Sequence, residues 1–145
     1  MLLTAVASYG LSSWLGIRMA SYRNAAGVPH PNVFATPESI AAASPSQARA
    51  MYLFNCAQRS HANFVENYPV ALSAMLISGL VYPRLAAGTG IVWIFGRVLY
   101  ALGYASRTTQ YEKGEGRMPG FNVSVLTQVG FMVLVGKVGW DLLRV

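Results

Sequence analysis

Acidic residues are scarce in this chain. Five Asp and Glu among 145 positions, in a chain only 11% charged, leave too few ionisable groups to cover the surface of an ordinary soluble domain. A single cysteine, Cys56, excludes an intrachain disulfide, and it reads as a small packing residue inside a helix. Two histidines, His30 and His61, with that one cysteine give no metal-ligand spacing, and no Gly-rich phosphate loop is present. What the chain has instead is apolar mass: 54% of its residues are hydrophobic and its mean hydropathy is positive, so its solvent is a lipid bilayer. The formal net charge of +6 does not point to nucleic acid, because the eleven basic residues are scattered between apolar runs, as loops beside a membrane would have them.

Four segments predict helices, at about 2–22, 46–82, 85–106 and 120–143, giving an all-α four-transmembrane-helix bundle in a single domain over 1–145. The first is uncharged from Met1 to Ile17, and its length and missing basic leader favour a span over a signal peptide. Residues 24–46 hold Pro29, Pro31, Pro37 and Pro45 and read as an exposed loop. The second helix, at 1.5 Å per residue, is roughly 55 Å long against a hydrocarbon core of about 30 Å, so one end projects. Loops one and three together carry Arg18, Arg23, Arg49, Arg107, Lys113 and Arg117, whereas the opposite side has Arg84, Lys137 and Arg144. That imbalance puts loops one and three in the cytosol.

One stretch breaks the apolar rule. In Asn55-Cys-Ala-Gln-Arg-Ser-His-Ala-Asn-Phe-Val-Glu-Asn-Tyr-Pro69, the residues Arg59, Asn63 and Glu66 recur at i, i+4 and i+7 and share one helix face. Polar groups at membrane depth turn toward a bundle interior, a partner or a water-filled site. A guanidinium suits a carboxylate, a carboxylate suits an ammonium, and Tyr100 and Tyr104, one turn apart on the third helix, reach the same membrane level. A small zwitterion fits that chemistry. Arg59 and Glu66 neutralising one another between helices, with the tyrosines as an interfacial belt, fits the residues as well. A small transporter fits less well, because the charges gather at one interface and the fourth helix has none through Gly136.

The block from Phe54 to Pro69, followed by Gly96-Arg-Val-Leu-Tyr-Ala-Leu-Gly-Tyr104, resembles the membrane-associated eicosanoid and glutathione metabolism superfamily (MAPEG), and most of all its type-3 microsomal glutathione transferases. The likeness covers nearly the whole chain in helix order and loop placement. It implies a homotrimer with active sites between subunits, in the endoplasmic reticulum membrane with the site facing the cytosol. The substrates it implies are glutathione as co-substrate and a lipophilic electrophile or lipid hydroperoxide; a non-enzymatic lipid-binding or scaffold member is the alternative. Carried over by residue, it gives Arg59, Asn63 and Glu66 to the glutathione backbone from one subunit, and Arg23, His61, Tyr100 and Tyr104 to a neighbour's facing wall. His61 lies about 200° around the helix from Arg59, which agrees with a site shared between subunits. Arg97 matches a family arginine and reads equally as an interhelical charge partner.

Three departures separate the chain from the leukotriene-forming branch. Asn67 follows the motif glutamate, with Tyr68 one place later; Arg23 is followed by Asn24 rather than a second arginine; and the loop before the fourth helix differs in length. The cation that would hold a thiol as thiolate is therefore to be chosen among Arg107, Lys113 and Arg117. Lys113 sits between Glu112 and Glu115, whereas Arg117 opens the fourth helix, where the helix's partial positive charge adds to its own, so Arg117 is the expected residue.

Overall fold

The computed structural model describes residues 1–106 and 114–144, all-helical and without a strand among them. Among the described residues the α-helices are four long ones and a short one, α1 Leu2–Ala26, α2 Pro37–Ala42, α3 Pro45–Val81, α4 Pro83–Tyr104 and α5 Met118–Leu142, with a 3-10 turn at Glu115–Arg117 leading into α5. Local chemistry sets these ends. α1 runs on to Ala26 because Gly27 follows it with φ 61°, a left-handed cap whose N–H returns to the carbonyls of Arg23 and Asn24. α2 forms inside the stretch that composition alone assigns to a loop: the Thr36 hydroxyl caps the amide of Ser39, and Pro37 occupies the first turn, where its missing N–H costs nothing. The Ser44 hydroxyl and Pro45 start α3 in the same way. α3 continues through Pro69 without a break.

The long helices run alternately up and down. Met1 lies against Gly79 near the end of α3, Thr4 and Met75 pack onto Gly90 of α4, and the Tyr22 hydroxyl at the far end of α1 donates to the Ala105 carbonyl at 3.1 Å. At the other end, Tyr82 between α3 and α4 hydrogen-bonds to Asp141, which Lys137 also holds at 2.9 Å. The core is aromatic at mid-height: Phe64 stacks on Tyr68 at 5.0 Å between centroids and packs against Trp93 at 5.6 Å, with Leu11, Leu15, Met75 and Phe131 around them.

Outward the bundle is apolar as well. Leu3, Leu80 and Leu126 are 86%, 81% and 71% exposed, faces that a bilayer covers at no cost and that water would not tolerate in such number. α3, α4 and the helix through Glu115–Leu142 are each long and apolar enough to cross a membrane. α1 is comparably long at 25 residues, but Thr4, Ser8, Ser12, Ser13 and Ser21 dilute its apolar content.

Candidate functional site

Close helix packing builds the site's end of the bundle. A Cβ on Gly120 would overlap the backbone of Tyr100, one on Gly103 would overlap the carbonyl of Gly116, and one on Gly96 would stand 3.1 Å from the Ser124 amide nitrogen. α4 and α5 therefore meet backbone to backbone, as small residues permit in membranes. The seam brings Tyr100, Tyr104 and Arg117 together. The tyrosine rings pack edge to face at 5.5 Å, and the Arg117 guanidinium lies 4.9 Å from the Tyr104 ring centroid. Arg117 Nη1 donates to the Gly114 carbonyl at 2.8 Å, at a glycine with φ 69°. Arg107 and Lys113 lie outside the described residues.

The polar stripe of α3 faces this corner. Arg59 Nη1 donates to Glu66 Oε1 at 2.8 Å and Asn63 Nδ2 to Glu66 Oε2 at 3.4 Å, with the Arg59 and Glu66 side chains 49% and 52% exposed. Asn63 in turn accepts from Arg97 Nη2 at 2.9 Å. Arg97 is 3% exposed, and its guanidinium sits 4.8 Å from the Tyr100 centroid and 5.9 Å from those of Phe64 and Trp93. Tyr100 thus stands between the Arg97 guanidinium and the Tyr104 ring, on whose face Arg117 lies. Within one protomer a chain of contacts runs from Arg59 through Glu66, Asn63 and Arg97 to Tyr100, and on through Tyr104 to Arg117.

Two other expected residues stand apart from that cluster. Arg23 is buried, donating from Nη1 to the Asn32 carbonyl at 2.6 Å and lying 4.7 Å from the Phe54 ring centroid, where it fastens the first loop. His61 turns toward α1, its Nε2 3.8 Å from where a Cβ of Gly16 would be. In the sequence, neither the Arg97–Asn63 bond nor the pair in which Gln128 Nε2 donates to Asn67 Oδ1 at 2.9 Å has a local signature. That pair closes the polar end of a groove of about 460 Å³ between α3 and α5, lined further along by Val70, Ala74, Val125 and Met132. Asn67, which follows Glu66 in the chain, is the groove's lining residue nearest the stripe in sequence. Among the described residues no three His, Cys, Asp or Glu side chains come together as a metal site would need.

An all-helical integral membrane protein with a basic, tyrosine-lined polar corner beside an apolar groove is the class that fold and site define. The chain matches the MAPEG family over residues 1–137, and it belongs to that family. The family includes glutathione transferases and non-enzymatic members alike.

Proposed function

We propose that this protein is a membrane glutathione transferase that conjugates glutathione to lipophilic electrophiles and also reduces lipid hydroperoxides. It works as a homotrimer of four-span protomers in the endoplasmic reticulum membrane, with its sites open to the cytosol. The observation that carries this reading is the continuous polar corner, Arg59, Glu66, Asn63, Arg97 and Tyr100, with Tyr104 and Arg117 beyond it, in an otherwise apolar bundle. A bundle needing only stability gains little from so many ionisable groups at this depth.

Each side chain then has a task. Arg59 and Glu66 are half exposed, and they exchange their mutual pairing for a ligand carboxylate and a ligand ammonium. Asn63, Tyr100 and Tyr104 supply neutral hydrogen bonds to the peptide backbone of glutathione. His61, turned away from the corner of its own chain, is left to line the wall that a neighbouring subunit offers, whereas Arg23 is occupied in holding the first loop. Arg117 holds the thiol as thiolate, the nucleophilic form. In conjugation the sulfur lone pair forms the S–C bond while the electrophile's leaving group, or its strained ring oxygen, departs with the electron pair. With a hydroperoxide, the thiolate sulfur attacks the terminal oxygen, the O–O bond breaks, and the alkoxide that leaves takes a proton from water to become an alcohol. A second glutathione then converts the sulfenic acid to glutathione disulfide and water. The electrophile arrives along the groove between α3 and α5.

Calorimetry with glutathione on detergent-purified protein, paired with conjugation of an aryl halide, tests the reading. Saturable binding with turnover is the expected result. A folded oligomer that binds no glutathione would leave the non-enzymatic, lipid-binding role in its place.

A further inference from the structure

We propose that Arg97 is a positioning residue of this site: acting through Asn63, it fixes the Glu66 carboxylate in place to receive the ligand's ammonium. The inference rests on the glutathione reading for the identity of the ligand, and on geometry for everything else.

A guanidinium has donors and no acceptor. The Asn63 atom that faces Arg97 Nη2 at 2.9 Å must therefore be the amide oxygen, and the amide nitrogen must point the other way. The other way leads to Glu66, whose Oε2 lies 3.4 Å from Asn63 Nδ2. Glu66 Oε1 is taken separately by Arg59. The carboxylate is thus held by two donors of different character. Arg59 is half exposed and free to leave for a ligand carboxylate, whereas the Asn63 amide is locked at its far end by a buried cation.

Arg97 suits that task because its own place is fixed. Three aromatic rings, those of Tyr100, Phe64 and Trp93, surround its guanidinium within 5.9 Å, and such contacts strengthen where water is excluded. Among the described residues no carboxylate lies within ion-pair distance of Arg97. Plain neutralisation of a buried arginine calls for an acidic partner; a neutral amide that relays its direction to a surface carboxylate is a different arrangement. When Arg59 turns to a ligand, Glu66 keeps its orientation because Asn63 does not move.

The test uses the full-length protein in detergent with two variants, Arg97→Gln and Arg97→Lys, alone and combined with Asn63→Ala. Arg97→Gln is expected to raise the KM for glutathione about tenfold, with the loss lying in KM rather than kcat, and to weaken an analogue without the α-ammonium far less. In the Asn63→Ala background the same change should add almost nothing, because the relay is already cut. Equal losses for both ligands, or full additivity, would make Arg97 a mere packing residue. A ligand-free arm stands apart from the glutathione reading. In protein labelled with ¹⁵N-asparagine, Arg97→Gln and Arg97→Lys should displace the side-chain amide resonances of Asn63 and leave those of Asn55 and Asn122 in place. An unmoved Asn63 signal in either folded variant overturns the proposal. Wild-type protein that binds no glutathione overturns the functional reading, while the resonances still decide whether Arg97 orients Asn63.

Discussion

Tyr104 and Arg117 stand face to face, guanidinium over ring at 4.9 Å, although 12 residues separate them in the chain. The contact holds a cation at the opening of α5, where the first-turn amides add their own partial positive charge.

Arg117→Ala should raise the pH midpoint at which bound glutathione forms its ultraviolet-absorbing thiolate by about 2 units, equivalent to roughly 2.7 kcal/mol of lost stabilisation. Conjugation at neutral pH slows accordingly while glutathione still binds. A midpoint that stays put in Arg117→Ala but rises in Arg107→Ala would transfer the task to Arg107.

Arg59→Ala should weaken glutathione binding by about 2 kcal/mol, near thirtyfold, since a charged hydrogen bond to a ligand carboxylate is lost. Arg59→Lys should restore only part of this, because a point charge cannot reproduce a planar fork. Calorimetry on both variants decides the matter; wild-type affinity in both, each still folded, would remove the stripe from the binding site.

Substitution along the α4–α5 seam should separate tight positions from open ones. Gly120→Val places atoms onto the Tyr100 backbone and should cost about 1–3 kcal/mol, whereas Gly136→Ala meets nothing within 4 Å and should be close to neutral. Thermal unfolding in detergent measures the difference; equal midpoints would show that the helices part readily there.

Asp141→Asn, at the opposite end of the bundle, weakens its bonds to Tyr82 and Lys137 and should lower the thermal midpoint slightly with glutathione affinity untouched. A fall in affinity would mean the two ends of the bundle are coupled.

Much of this was legible in the residues. The i, i+4, i+7 spacing put Arg59, Asn63 and Glu66 on one face, and the alternation of long apolar helices returned Tyr100 and Tyr104 to the same level. The misses have physical causes. α2 hides in a proline-rich stretch, where Thr36, Pro37 and Glu38 spell a helix start that proline content alone obscures. The first helix runs past residue 22 to Ala26, and the Gly27 that stops it was in plain sight. Arg97 could be set on α4 from its position, but its partner 34 residues away depends on how α4 is rotated about its axis, which no local pattern encodes. The same holds for Asn67 and Gln128, 61 residues apart.

The glycine seam of Gly96, Gly103 and Gly120 has a bearing on how the protein answers its surroundings. Lipid tails offer helices no reward for leaving solvent, so a joint made of touching backbones draws its strength from fit alone, and fit is indifferent to salt. The clasp of Tyr82, Lys137 and Asp141 draws on surface charge, which ionic strength screens. A change of ionic strength is therefore felt at the clasp before it is felt at the seam that spaces Tyr100, Tyr104 and Arg117.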